Sequence, residues 1–214
     1  MTFLLDPYAA RSCPVKTFNA FDPGTPKPEK PLDESLLEAF SGGSEFRESM
    51  LEALCRADDV VDLHDEGHNP AKTLAAMETG APVIVGGCLP VDVTGHRTGC
   101  PDALVRGDDR PGGRPGYWPL RVKPYRLLEK QHNAKELRAS AIGSPTTLEP
   151  LPGFRFRSYR QGVLLELAHH WRLLQACGRA ATTPVAGVIG FDDHRKGMIV
   201  WVPLELRFLR TFSR

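Results

Sequence analysis

Two short segments near the middle of the chain carry residue types suited to cutting phosphodiester bonds. Asp102 opens one apolar run, and Lys123 lies in the next, two residues after Arg121. Residues two apart on a strand point to the same face, so Arg121 and Lys123 are expected to share a face. Carboxylates bind Mg²⁺, the metal activates water, and a lysine offsets developing charge. An Asp, a second carboxylate and a Lys at one spot would therefore suit metal-dependent hydrolysis.

A predicted helix supplies a second group of polar side chains. Glu166 and His170 are four residues apart, so they lie on one helix face. They flank an apolar stripe that includes Leu167 and Trp171. We expect this helix to pack on the sheet with Glu166 and His170 at its edge, near Asp102.

The elements that position these residues follow from hydrophobic periodicity and turn signals. Ser44 is the predicted N-cap of the first helix, Asn69 caps the second, and Gly178 ends the third. Residues 130–155 are polar and aperiodic, which predicts a long loop. Helices are predicted over 44–55, 70–79 and 159–177, and strands over 82–85, 103–105, 118–125, 185–191 and 198–202. This order predicts an α/β fold with a mixed central sheet flanked by helices.

Composition is typical of a globular protein. The chain has 214 residues, 41% of them hydrophobic, and a net charge of +1, so any nucleic-acid binding needs a local basic surface. No signal peptide or membrane span is evident, which predicts a cytoplasmic protein without a membrane partner. Four prolines in residues 22–35 indicate a connector. We expect an N-terminal arm and connector over 1–35 and the main domain over 36–214.

The cysteines and one histidine pair have alternative interpretations. Five cysteines, with no C-x-x-C pair among them, predict free thiols in a reducing compartment. His64 and His68 have the spacing of a metal motif. The turn-forming residues between them favour a solvated loop over a zinc site.

The ordered segments resemble the RecB-like branch of the PD-(D/E)xK nucleases, which includes RecB family exonucleases and CRISPR-associated relatives. The resemblance implies a restriction-endonuclease-like core and a Mg²⁺- or Mn²⁺-dependent DNA exonuclease or endonuclease. It implies that Asp102 is a metal ligand and Lys123 the catalytic lysine, with Arg121, Glu166 and His170 in the same site. The matching segments are Ala75–Ile84, Gly99–Val105, Tyr117–Lys123, Glu166–Trp171 and Gly187–Gly190.

Several positions depart from the pattern of that family, including Glu166 and His170, where it has Gln and Tyr, and two of the departures are arginines. Arg121 stands where the resemblance implies an acid, and Arg47 stands where it implies a Glu or His on the first helix. Cations at both positions would oppose a divalent ion. The site is then either a degenerate nuclease centre with weak Mg²⁺ binding or an inactive fold that binds nucleic acid or protein. A different nucleic-acid-modifying activity is a third alternative, and Asp102 with Lys123 as an ordinary ion pair is a fourth.

Further basic residues are candidates for contacts with nucleic acid, with DNA favoured over RNA. Such residues neutralise phosphates, although a solvated surface has the same composition. The candidates are Arg47, Arg106, Arg126, Arg157 and Arg160.

The resemblance also bears on Cys13. RecB-like proteins often hold a 4Fe–4S cluster with one early and three late cysteines, and Cys13 lies at the early position. No cysteine follows Cys177. A cluster would therefore require a C-terminal cysteine segment missing from this chain, and the main domain is expected to lack such a segment. We expect Cys13 to be a free thiol on a poorly anchored arm.

Overall fold

A large mixed sheet is the framework of the computed structural model, which describes residues 3–26, 34–192 and 197–206. Eight strands are ordered β1-β2-β3-β4-β9-β10-β6-β7, and β5 pairs with β8 in a separate ribbon. The strands are β1 (Val60–Asp62), β2 (Val83–Val85), β3 (Ala103–Arg106), β4 (Tyr117–Val122), β5 (Leu128–Lys130), β6 (Arg138–Ala141), β7 (Glu149–Pro150), β8 (Phe154–Phe156), β9 (Val185–Ile189) and β10 (Met198–Pro203).

In the part of the chain that the structure describes, four α-helices and three short 3₁₀ helices accompany the strands. The α-helices are α1 (Pro14–Phe21), α2 (Glu34–Cys55), α3 (Pro70–Glu78) and α4 (Gly162–Ala176); the 3₁₀ helices are Ala9–Arg11, His64–Glu66 and Ser158–Arg160. The predicted mixed α/β architecture, with a central sheet flanked by helices, is confirmed. Within the described residues, no helix has the length and apolar character needed to cross a membrane.

The central strand β4 determines where the candidate residues meet. It pairs antiparallel with β3 and parallel with β9. The Asp102 N–H donates to the Leu120 carbonyl at 3.0 Å, and the Lys123 N–H donates to the Ile189 carbonyl at 2.9 Å. Asp102 and Lys123 therefore lie at the same end of two adjacent strands.

Alternation along the strands divides the core between the two faces of the sheet. On one face, Leu51 and Leu54 of α2 join a cluster that includes Leu120 and Val122. On the other face, α3 packs near Tyr117, and the first turns of α4 pack on β9 and β10. Arg121 points away from Leu120 and Val122, toward α4, as the alternation predicted.

The predicted helix ends are partly confirmed. The Asn69 side chain accepts from the N–H groups of Ala71 and Lys72, and Gly178 adopts a φ of 65° after α4. The predicted start of α2 at Ser44 is wrong because the helix begins at Glu34. Tertiary packing offsets the low helix propensity of the Gly42–Gly43 pair: a Cβ on Gly43 would lie 3.2 Å from Pro124.

The prediction of one long loop over 130–155 is wrong. This stretch contains β6, β7 and β8, and β6 extends the main sheet by pairing with β10. Ser140 of β6 is fixed by the partner strand β10, because its Oγ accepts from the Trp201 indole N–H at 2.8 Å. The short strand β1, which pairs parallel with β2, was not predicted either. Residues 27–33 of the predicted connector lie outside the described residues.

The N-terminal arm is held against the domain, contrary to the expected poor anchoring. The Leu5 N–H donates to the His96 carbonyl at 2.8 Å, and the Leu5 carbonyl accepts from the Thr98 N–H at 3.0 Å. These bonds place Pro7 over Gly99, where a Cβ would lie 2.9 Å from the proline ring. The 3₁₀ helix that follows brings Arg11 to the sheet edge.

Candidate functional site

Asp102 is a buried carboxylate with three donors around it. Its side chain is 1% exposed. Oδ2 accepts from the Val122 N–H at 2.7 Å, while Oδ1 accepts from Arg47 Nε at 2.6 Å and from Arg121 Nη1 at 3.4 Å. Both oxygens are therefore engaged, one by the backbone of β4 and the other by two guanidinium groups.

Glu166 is the second buried carboxylate of the site. Lys123 Nζ donates to Oε2 at 2.7 Å, and Arg121 Nη2 lies 3.5 Å from the same oxygen. Arg11 Nε lies 3.0 Å from Oε1. Because Arg121 contacts both Glu166 and Asp102, its guanidinium bridges the two carboxylates.

The charges of this site form two layers. The side chains of Asp102 and Glu166 are 1% and 4% exposed, so they lie at the bottom. The four cations lie closer to solvent, with exposed fractions of 38% for Arg11, 40% for Arg47, 22% for Arg121 and 13% for Lys123. Among the described residues, this group carries two more positive than negative charges. We call these six residues the arginine–carboxylate cluster.

Lys123 and His170 lie where burial disfavours a positive charge. Burial lowers the pKa of Lys123, and the hydrogen bond from Lys123 to Glu166 opposes this shift. Burial also lowers the pKa of His170 well below its usual value, and the nearby Arg121 adds to the effect. Neither ring nitrogen of His170 has a hydrogen-bond partner among the described residues. A neutral imidazole therefore lies beside the cationic cluster.

The donor set of the cluster does not suit a divalent cation. Mg²⁺ needs freely available carboxylate oxygens. Here Oδ1 of Asp102 faces Arg47 and Arg121, Oδ2 accepts from Val122, and Glu166 is covered by three cations. A divalent ion would have to displace the guanidinium groups of Arg47 and Arg121 from Asp102. The cluster therefore does not fit a catalytic metal ion.

The structure brings most of the sequence-predicted site residues together. Arg121 contacts both Asp102 and Glu166, Lys123 contacts Glu166, and Arg47 joins Asp102 from α2. His170 lies on the same helix face as Glu166, and its Nε2 would be 3.1 Å from a Cβ on Gly99. The expected convergence of Asp102, Arg121 and Lys123, with Glu166 on the facing helix, is confirmed.

The other predicted basic residues have separate surroundings. Arg160 lies over the Tyr125 ring at 4.0 Å, and the Tyr125 N–H donates to the Lys123 carbonyl at 2.8 Å, so Arg160 is close to the cluster. Arg157 donates to the Leu128 carbonyl at 2.7 Å on the β5–β8 ribbon, and Arg126 is exposed. Arg106 lies at the far end of β3, where it pairs with Asp109 at 3.0 Å, so it does not line the cluster.

Sequence reasoning missed Arg11. No motif surrounds it, and the arm that carries it has no predicted element next to the sheet. Its contact with Glu166 depends on the pairing of Leu5 with the 96–98 segment, which only the tertiary structure reveals.

The prediction of free thiols is wrong for two of the five cysteines. Cys88 and Cys100 form a disulfide, while Cys13, Cys55 and Cys177 are free. Backbone N–H groups at the start of α1 lower the pKa of the exposed Cys13 thiol. His64 and His68 lie in a loop, as predicted: His64 begins a 3₁₀ turn that ends at Glu66, and Gly67 follows at φ 62°. His68 alone reaches the disulfide.

No protein-family model matches the chain, and no curated protein or solved structure matches it.

Proposed function

We propose that this chain is a RecB-like nuclease-fold protein that binds the phosphate backbone of nucleic acid, with DNA favoured, at the arginine–carboxylate cluster. The cluster acts as an anion receptor and not as a hydrolytic metal centre. The observation that carries this proposal is the short contact of Arg47 with Asp102, 2.6 Å, at the carboxylate where the resemblance implies a metal.

The layering of the cluster supports phosphate binding. A ligand that approaches from solvent meets Arg47 and Arg11 before the buried carboxylates. The Asp102 contact uses only the Nε–H of Arg47, and a guanidinium has four further N–H donors on its Nη atoms. Guanidinium groups bind phosphate oxygens with paired hydrogen bonds, which suits this arrangement to a phosphodiester.

The two carboxylates give the cations fixed positions. Arg121 is held between Asp102 and Glu166, so its side chain loses little further entropy when a phosphate arrives. Arg160 lies over the half-buried Tyr125 ring at 4.0 Å and 5.2 Å from the exposed Tyr159 ring, which together form an aromatic and cationic surface. Such a surface suits stacking of a base from single-stranded nucleic acid.

A second candidate is a metal-dependent nuclease. The contact of Lys123 with Glu166 at 2.7 Å favours it, because it puts a lysine, a second carboxylate and Asp102 in one cluster. This candidate requires Arg47 and Arg121 to move away from Asp102. Even then, Arg11 and Lys123 would stay beside Glu166 and repel a divalent cation, so we favour phosphate binding.

Fluorescence anisotropy with labelled single-stranded and double-stranded DNA and RNA of equal length tests the proposal. We expect binding that weakens with salt, and a log–log salt slope smaller by about 0.7–0.9 for each phosphate contact removed by Arg47→Gln or Arg121→Gln. Arg172→Gln removes the same charge from an exposed position on α4 and should leave the slope unchanged.

Two results would overturn this function. One is undetectable binding to every nucleic acid at low salt; the other is equal weakening by Arg172→Gln and Arg47→Gln. Cleavage of labelled DNA with Mg²⁺ or Mn²⁺ that disappears in Asp102→Asn would establish the nuclease candidate instead. Circular dichroism of each variant establishes that it is folded.

A further inference from the structure

A second group of potential ligands lies outside the arginine–carboxylate cluster. His68 Nδ1 is 3.1 Å from Cys88 Sγ and 3.2 Å from Cys100 Sγ. One ligand atom from each of these three residues lies within 4.8 Å of the others. We call His68, Cys88 and Cys100 the thiol–imidazole group.

The backbone holds this group together without help from the sulfur–sulfur bond. The Leu89 N–H donates to the Gly99 carbonyl at 3.3 Å, next to each cysteine. His68 lies directly before Asn69, whose side chain caps α3 and whose N–H donates to the Gly67 carbonyl at 2.9 Å. The three side chains would therefore remain neighbours if the disulfide were reduced.

The imidazole of His68 faces the disulfide, which is a position that suits a metal ligand. Disulfide sulfurs are weak hydrogen-bond acceptors, yet one nitrogen of His68 faces both of them. Thiolates and a neutral imidazole are the ligands of Cys₂His zinc sites, in which the metal lies between the sulfurs and the nitrogen. Once the S–S bond is broken, His68 Nδ1 is therefore in position to bind the same ion as the two sulfurs.

We propose that the reduced protein binds one Zn²⁺ through Cys88, Cys100 and His68 Nδ1, so that the group holds a disulfide when oxidised and zinc when reduced. A dithiol reductant breaks the S–S bond by supplying two electrons and two protons, and it closes to its own disulfide. Zn²⁺ then displaces the two thiol protons to solvent. The described residues supply three ligands, and water completes the tetrahedron.

This zinc site is independent of the proposed nucleic-acid binding. It uses sulfur and imidazole ligands, whereas the cluster presents arginines and carboxylates. No residue belongs to both groups, although Cys100 lies two residues before Asp102 and its carbonyl accepts from Arg121 Nη1 at 3.4 Å. Failure of one proposal therefore leaves the other intact.

Cobalt titration tests the site, because thiolate-bound tetrahedral Co²⁺ absorbs by sulfur-to-metal charge transfer and shows intense d–d bands. The full chain is reduced with dithiothreitol, freed of it anaerobically, and titrated with Co²⁺ and then Zn²⁺. We expect one equivalent of Co²⁺ with the thiolate spectrum, and its displacement by one equivalent of Zn²⁺. The oxidised protein should show neither.

Variants separate this site from adventitious binding. Cys88→Ser and Cys100→Ser should abolish the spectrum, and His68→Ala should weaken Co²⁺ binding at least tenfold. The triple variant Cys13→Ser, Cys55→Ser, Cys177→Ser removes the free cysteines and should bind as the wild type does. Absence of the spectrum in reduced wild-type protein, or its persistence in Cys88→Ser, overturns the proposal. The comparison of oxidised with reduced wild type decides the matter even where a cysteine variant does not fold.

Discussion

Arg47 of α2 and Asp102 at the start of β3 form a 2.6 Å ion pair across the edge of the sheet. The carboxylate is buried and the arginine is partly exposed, so the guanidinium lies between Asp102 and solvent. This pair couples a helix to the sheet and, at the same time, neutralises the residue that the sequence pattern assigns to a metal.

Loss of Arg47 should destabilise the fold through Asp102. Arg47→Ala leaves the carboxylate with Arg121 and the Val122 N–H, and solvent screens part of the loss because Arg47 is 40% exposed. We expect a decrease in the free energy of unfolding of about 1–2 kcal/mol in urea denaturation. Asp102→Asn should cost more, about 2–3 kcal/mol, because its NH₂ group would face the arginines.

The double variant measures the interaction free energy between Arg47 and Asp102. Arg47→Ala combined with Asp102→Asn should cost less than the sum of the single changes by about 0.5 kcal/mol or more. Strict additivity of the two changes would mean that Arg47 and Asp102 do not interact in solution. Arg56→Ala, one residue beyond the end of the same helix, is exposed and lies 3.9 Å from Glu52, and it serves as the control.

Reversing the charge of two arginines should create a metal site. Arg47→Glu with Arg121→Asp places acids at both positions where the RecB-like resemblance implies them, beside Asp102 and Glu166. The excess of two positive charges becomes an excess of two negative charges. We expect Mn²⁺ or Mg²⁺ to raise the Tm of this variant and to bind in calorimetry, with no comparable effect on the wild type.

A third change tests where that ion binds. Adding Asp102→Asn to the reversed variant should remove the metal-dependent rise in Tm. If the reversed variant folds but binds no divalent ion, the two arginines do not occupy former ligand positions. Tight binding of Mn²⁺ by the wild type would contradict the anion-receptor interpretation.

Local signals predicted the elements that carry the site. Asn69 before Pro70 and Gly178 after α4 are cap residues whose preference arises within one turn, and the apolar runs at β3 and β4 are buried as expected. Alternation on β4 placed Arg121 and Lys123 on one face. These predictions held because they depend on residues close together in the chain.

Other parts of the molecule depend on distant partners. β6 reads Arg-Ala-Ser-Ala, a sequence without strand character, and becomes a strand because β10 pairs with it. Arg11 reaches Glu166 only because the arm pairs with residues 96–98. The Cys88–Cys100 bond joins residues 12 apart, and among five cysteines no spacing rule selects that pair.

His170 should make the protein sensitive to acid. Its pKa in the folded protein is depressed well below 6.5, chiefly by burial, whereas the unfolded chain titrates near the usual value. Below that value the unfolded state binds the additional proton, so stability falls as the pH decreases. His170 alone contributes a slope of up to about 1.4 kcal/mol per pH unit until the folded-state pKa is reached.

The variant His170→Met removes the titrating group and two unpartnered ring nitrogens at similar volume. We expect the free energy of unfolding to depend less on pH between 6.5 and 5 in this variant, by at most one proton of linkage. Urea denaturation at several pH values measures the slope. Equal slopes in His170→Met and wild type would show that the imidazole is charged in the folded protein. His132→Gln, in an exposed turn, is the control.

Gly99 is where the arm, the Asp102 segment and α4 meet, and it should tolerate no side chain. A Cβ there would lie 2.9 Å from Pro7 Cγ and 3.1 Å from His170 Nε2. The proline ring cannot rotate away, so Gly99→Ala should cost about 1–3 kcal/mol of stability through overpacking. The displaced arm should also weaken the contact of Arg11 with Glu166.

Gly143→Ala is the matched control, because nothing lies within 4 Å of its Cβ, and its cost should stay within about 0.5 kcal/mol. Equal stabilities of the two variants in urea denaturation would show that the arm does not pack over Gly99.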